Sequence, residues 1–149
     1  MLLCQLKRGE TLWGERLMLP VTTLLVSILS LLFVWLSIQV IKSRRKFRVL
    51  IGAGGQEELE WAIRAQGNFA EYIPISLLLF ACAELNKTPV LVLVLIALML
   101  ISGRLLHALG FLFARDRIGL RIKGMKLTFG SIIILSLWNI GLLCYQASA

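Results

Sequence analysis

The stretch "PVTTLLVSILSLLFVWLSIQVI", Pro20 to Ile41, runs 22 residues without a charge. About 20 apolar residues, rising about 1.5 Å each, carry a helix across the hydrocarbon core of a bilayer. Hydrophobic residues make up 58% of the 149-residue chain, too dense an apolar content for an ordinary soluble core of this size. Working outward, three more segments read the same way. The second covers 61–85 and begins with "WAIRAQGNFAEYIPISLLLF". The third, 89–113, follows Pro89 with "VLVLVLIALMLISG" before meeting Arg104, and the fourth, 125–145, has Lys126 at its start and no other charge. No segment alternates with period two, which excludes a membrane β-barrel. The expected fold class is an all-α membrane protein: a single four-helix transmembrane domain over residues 1–149, with 1–19 as an N-terminal extension.

That extension does not read as a cleaved signal peptide. The apolar run that follows it exceeds the usual h-region of about 7 to 15 residues, and Glu10 and Glu15 stand beside Lys7, Arg8 and Arg16. Cys82 and Cys144 fall in spans and Cys4 in the extension, so no disulfide framework is implied. "GAGG", Gly52 to Gly55, has no strand before it and reads as a turn rather than a phosphate loop.

Charge sets the expected orientation. Lys42, Arg44, Arg45, Lys46 and Arg48 lie between spans one and two, and Arg115, Arg117, Arg121, Lys123 and Lys126 between three and four. The opposite side has only Lys7, Arg8, Arg16 and Lys87. The positive-inside rule then puts both basic loops in the cytoplasm and both termini outside. The net charge of +8 is explained by orientation, and it implies no nucleic-acid partner.

The polar residues inside the spans are harder to explain as packing. Arg64, Asn68 and Glu71 fall in the cytoplasmic half of span two, within an arc of roughly 60° at 100° per residue. Arg104 and His107 lie near the cytoplasmic end of span three. The spacing places all five at one level, with both stripes expected to face the bundle interior. A charge at mid-span costs about 2.5 to 3.5 kcal/mol on insertion scales, so such groups pair or line a wet cavity. Glu71 pairing with Arg104 is one arrangement that satisfies this. The surplus of cations over one carboxylate favours another: an anionic ligand that also carries an amine, with arginine forks for its carboxylates. His107 is the one histidine, so a metal site is not expected.

"RAQGNFAEY", Arg64 to Tyr72, reads R-x-x-x-N-x-x-E-Y and resembles the hallmark of the MAPEG proteins, membrane-associated proteins in eicosanoid and glutathione metabolism. "RLLHALGF", Arg104 to Phe111, is similar to their third-helix motif. The resemblance covers the chain from Met18 onward and is strongest to the small bacterial branch, related to microsomal glutathione transferases and prostaglandin E synthase. It implies homotrimers of four-helix subunits in the bacterial inner membrane, with glutathione as co-substrate bound between subunits near the cytoplasmic face.

Carried over by residue, the resemblance makes Arg64, Asn68, Glu71, Tyr72, Arg104 and His107 the glutathione-binding set, with Glu71 facing the glutamyl amine. It also implies a catalytic arginine after the third helix that stabilises the thiolate, Arg121 with Arg117 as second choice. Where several eukaryotic members carry a tyrosine, this chain has Phe111, without a hydroxyl. The implied function is a glutathione transferase or glutathione-dependent peroxidase acting on hydrophobic electrophiles that arrive through lipid. Ion or proton passage along the Arg64, Glu71, Arg104 and His107 cluster, in a channel or transporter subunit, is the competing expectation. Trp13, Trp35, Trp61 and Trp138 are read as interfacial anchors or packing.

Overall fold

A computed structural model describes residues 19–113 and 118–148. Lys7, Arg8, Arg16, Arg115 and Arg117 lie outside the described residues. Four helices follow one another, α1 (Pro20–Phe47), α2 (Glu57–Leu85), α3 (Val90–Leu112) and α4 (Ile118–Ser148), with no strand among the described residues. All four are long and apolar enough to cross a membrane.

Three helices outrun the spans read from hydropathy. α1 continues six residues beyond Ile41, α2 begins four before Trp61 and α4 begins seven before Met125. The physical reason is that lipid rejects charge but a helix does not: Lys, Arg and Glu are good helix formers and extend a span into the headgroup zone. Lys42, Arg44, Arg45 and Lys46 thus sit on the end of α1, and Arg121, Lys123 and Lys126 sit on α4 rather than in a loop.

α3 and α4 meet at bare backbone. A Cβ on Gly103 would stand 2.9 Å from the Gly124 carbonyl oxygen, and one on Gly124 would stand 2.7 Å from the Gly103 oxygen and from the His107 nitrogen. Small residues at such a crossing are what permit close helix packing where lipid and side chains are equally apolar. α1 packs on α2 and α3, and α4 packs on α3 and α2. Leu25, Leu29 and Leu36 of α1, Phe69 and Phe80 of α2, Leu93 and Leu100 of α3 and Leu135 of α4 form the buried core.

At the end away from the basic residues the helices are tied directly. Glu84, in the last turn of α2, accepts the backbone N–H of Val21 at 2.9 Å and of Thr22 at 2.8 Å, a charge-assisted cap on the first turn of α1. The α2–α3 turn closes as a Schellman motif, with Lys87 left-handed at φ 58 and the Thr88 N–H donating to the Ala83 carbonyl at 3.1 Å. Trp138 Nε1 donates to Thr88 Oγ1 at 3.0 Å, and Asn139 Nδ2 to the Leu79 carbonyl at 3.0 Å.

Candidate functional site

At the basic end, Arg104 is the largest fully buried side chain, 1% exposed. Its Nη1 donates to the Asn68 side-chain oxygen at 3.2 Å and to the Asn68 carbonyl at 3.3 Å, and its Nη2 to Met125 Sδ at 3.4 Å. Its Nε is buried with no partner among the described residues. Tyr72 brings its ring to 5.8 Å from the guanidinium carbon and sets it edge-on to Phe129. The spacing of Asn68 and Tyr72, one helical turn, delivers both to this cation from the same face of α2.

His107, one turn after Arg104, is also buried. Its Nδ1 lies 3.1 Å from the Arg121 carbonyl, and a carbonyl oxygen only accepts, so Nδ1 carries the proton. Nε2 is buried and has no partner among the described residues. One further turn on, Phe111 packs its ring at 4.9 Å from the His107 ring.

Arg121 enters from the first turns of α4. Its guanidinium carbon lies 4.3 Å from the Trp61 ring centroid and 4.9 Å from that of Phe111, within cation–π range of both. Gly110 makes the approach possible: a Cβ there would fall 2.8 Å from Arg121 Cγ and 3.2 Å from its backbone nitrogen. Trp61, Phe111 and Gly110 therefore position Arg121, and the sequence reading had given Trp61 no such part. The signal was present in outline, an aromatic one turn before Arg64 at the basic end of α2.

One expectation needs correction. The α2 stripe does not face inward, because Arg64 and Glu71 are exposed on the outer surface of the subunit and Asn68 alone of the three turns to Arg104. Of the two arrangements open to Glu71, pairing with Arg104 is not the one present. The reason is rotational: the core face of α2 is taken by Ala62, Ala65, Phe69 and Ile73, and Arg64 and Glu71 fall to the other side of Asn68 from it. Two adjoining hollows mark this outer face. One of about 410 Å³ is lined by Ile63, Arg64, Gly67, Asn68, Glu71 and Phe111. The other, of about 440 Å³, is lined by Glu57, Glu60, Trp61, Arg64 and Phe111. Arg64 and Phe111 are common to both.

The structure therefore brings Asn68, Tyr72 and Arg104 together and holds His107 against the backbone of Arg121. It leaves Arg64 and Glu71 on an open face beside them. The MAPEG family profile matches residues 22–141, which include all of these positions. The chain belongs to the MAPEG family. Inner membrane protein YecN of Escherichia coli strain K12 is 34% identical over 120 residues, which cover 80% of this chain and 90% of YecN. YecN of E. coli O6:H1 strain CFT073 matches to the same extent. Among the described residues, no group of three or more histidine, cysteine, aspartate or glutamate side chains is placed to hold a metal.

Proposed function

We propose that this MAPEG protein is a multi-pass inner-membrane enzyme that binds glutathione and uses its thiol on hydrophobic electrophiles, as a transferase or a peroxidase. The observation that carries the reading is Arg104, buried at 1% exposure, with Nε unpartnered and its guanidinium oriented by Asn68 rather than paired with a carboxylate among the described residues. A buried cation without a counter-ion is costly, and a ligand carboxylate would offset that cost.

Arg64 and Glu71 support the same reading from outside. On a lone subunit they sit on the outer face of a span, where charge is expensive. Covered by a neighbouring subunit they form a site with a cation for a carboxylate and a carboxylate for an ammonium, the pattern of charges on glutathione. A homotrimer with the ligand between subunits is therefore part of the proposal. Arg121, held at the edge of the same hollows by Trp61 and Phe111, stabilises the thiolate. The thiolate attacks the electrophilic carbon of an aryl halide, the carbon–sulfur bond forms and halide leaves. The inner-membrane placement follows the name of YecN, and the excess of basic residues at one end supports a cytoplasmic position for that end.

Calorimetric titration of the detergent-solubilised protein with glutathione tests the reading, with saturable binding and conjugation of an aryl halide as the expected results. Absence of binding, together with glutathione-independent ion flux in liposomes, would replace it with the transport alternative. Arg121→Ala is expected to raise the pH at which bound thiolate forms while leaving binding nearly intact, read from thiolate absorbance. For orientation, an impermeant probe added from outside is expected to label a cysteine at Ser148 and spare one at Gln56, in a background without native cysteines.

A further inference from the structure

The loop between α1 and α2 combines features that the glutathione reading does not use. Leu50 and Ile51 are each 91% exposed, the most exposed of the large hydrophobic residues among those described. They are not on a slack segment. Arg48 closes α1 in a left-handed conformation at φ 54, the Val49 N–H returns to the Arg44 carbonyl at 3.1 Å, and Arg44 Nη1 donates to the carbonyls of Leu50 at 3.1 Å and Gly52 at 3.0 Å. Gly52, Gly54 and Gly55 all have positive φ, so the turn is built on conformations that L side chains resist. Two backbone carbonyls held by one guanidinium fix an apolar tip in place.

Its depth follows from α1. The uncharged run from Pro20 to Ile41 rises about 33 Å at 1.5 Å per residue, which consumes the roughly 30 Å hydrocarbon core. Lys42 to Phe47 add about 9 Å, the thickness of the headgroup zone. Arg44 lies in that zone, and because its side chain grips Leu50 and Gly52, the tip is folded back to the same level. Lys42, Arg45 and Arg48 are exposed around it, and Lys46 pairs with Glu58 at 2.6 Å. Leu50 and Ile51 are apolar and the surrounding side chains cationic, which matches a leaflet whose headgroups are anionic and whose interior begins just beneath them.

We propose that this loop docks on the leaflet at the basic end, with Leu50 and Ile51 inserted at the headgroup–acyl boundary and Lys42, Arg45 and Arg48 on anionic phospholipid headgroups. The loop leads directly into Glu57, Glu60 and Trp61, which line one of the two hollows, so its seating fixes the start of α2 relative to the membrane surface. The proposal stands whether or not glutathione is the ligand.

The test uses the full chain with Cys4, Cys82 and Cys144 replaced, one spin label at Leu50, and a control label at Gln56, in nanodiscs containing phosphatidylglycerol. The label at Leu50 is expected to collide more with oxygen than with an aqueous nickel chelate, and the label at Gln56 the reverse. Replacing phosphatidylglycerol by phosphatidylcholine, or introducing Lys42→Gln with Arg45→Gln and Arg48→Gln, is expected to shift the Leu50 label toward the chelate. Equal chelate access at both positions would overturn the proposal, because the tip would then stand in water. Exclusion of both oxygen and chelate at Leu50, with spin–spin broadening removed by dilution into unlabelled protein, would also overturn it and assign the tip to a contact between copies of this chain.

Discussion

The two ends of this bundle handle polar groups in opposite ways. At the end away from the basic residues, Glu84 is answered by two backbone donors, Trp138 by Thr88 and Asn139 by Leu79. The buried atoms left over on these residues are neutral oxygens, Thr22 Oγ1 and Asn139 Oδ1. At the basic end the atoms left over are nitrogens, Arg104 Nε and His107 Nε2, and Arg64 and Glu71 stand on an open face. Both ends leave buried atoms unpartnered among the described residues, but only the basic end leaves one on a charged group, the donor Arg104 Nε, beside the acceptor His107 Nε2.

The largest expected effect tests that charged group itself. Arg104→Ala is expected to weaken glutathione binding by about 2 to 5 kcal/mol, the usual cost of truncating one member of a buried charge pair, measured by calorimetry in detergent. Arg104→Lys keeps the charge but cannot donate to Asn68 and Met125 from one planar fork, so affinity is expected to recover only in part. Full recovery with lysine would mean that charge alone matters and that the orientation by Asn68 is incidental.

Glu84→Ala probes the opposite end. It removes two charge-assisted bonds to the first turn of α1 and is expected to cost about 1.5 to 3 kcal/mol of stability, read as a lowered unfolding midpoint, with glutathione affinity unchanged. If Glu84→Ala weakened glutathione as much as Arg104→Ala does, the two ends would not be separable and the contrast would fail.

Gly110→Ala sits between these cases, because the added carbon would crowd Arg121 at 2.8 Å from Cγ and 3.2 Å from the backbone nitrogen. Overpacking of this kind costs about 1 to 3 kcal/mol. Displacement of Arg121 is expected to appear as lowered turnover with a smaller change in glutathione affinity. A variant with wild-type turnover would show that α4 shifts freely and that Arg121 needs no fixed seat.

The sequence made much of this legible and left a definable part hidden. Four spans follow from apolar length, because lipid imposes a composition that few other environments demand. The identity of Arg104, His107 and Asn68 as a group follows from helical spacing and from the family motif. The outward turn of Arg64 and Glu71 does not, since a stripe on a helix has the same spacing whichever way it faces, and only the packing of Ala62, Ala65, Phe69 and Ile73 sets the rotation. Helix ends were also hidden: hydropathy reports where lipid stops, whereas α4 runs seven residues further through charged positions to reach Ile118. That extension is what carries Arg121 back over α3. Trp61 reads from sequence as an interfacial anchor or as packing, because a tryptophan at a membrane boundary needs no other reason to be there.

The smallest expected effect concerns that tryptophan and divides positioning from binding most finely. Trp61 supports Arg121 through its ring face at 4.3 Å, while Phe111 supports the same guanidinium at 4.9 Å and packs at 5.5 Å from Trp61. A cation–π contact is worth about 0.5 to 2 kcal/mol depending on desolvation, and a second ring remains when the first is lost. Trp61→Phe is therefore expected to change little, and Trp61→Leu to lower turnover by about three- to tenfold, corresponding to about 0.7 to 1.4 kcal/mol in the barrier. Glutathione affinity should stay near that of the unmodified chain in both. The discriminating measurement is the pH dependence of bound thiolate: without the ring face Arg121 samples other positions, its field at sulfur weakens, and thiolate formation moves to higher pH in Trp61→Leu but not in Trp61→Phe. Equal shifts in the two variants would indicate that ring size, not the aromatic face, holds the arginine. No shift in either would leave Phe111 as the sufficient support, and the double variant Trp61→Leu with Phe111→Leu would then carry the whole effect.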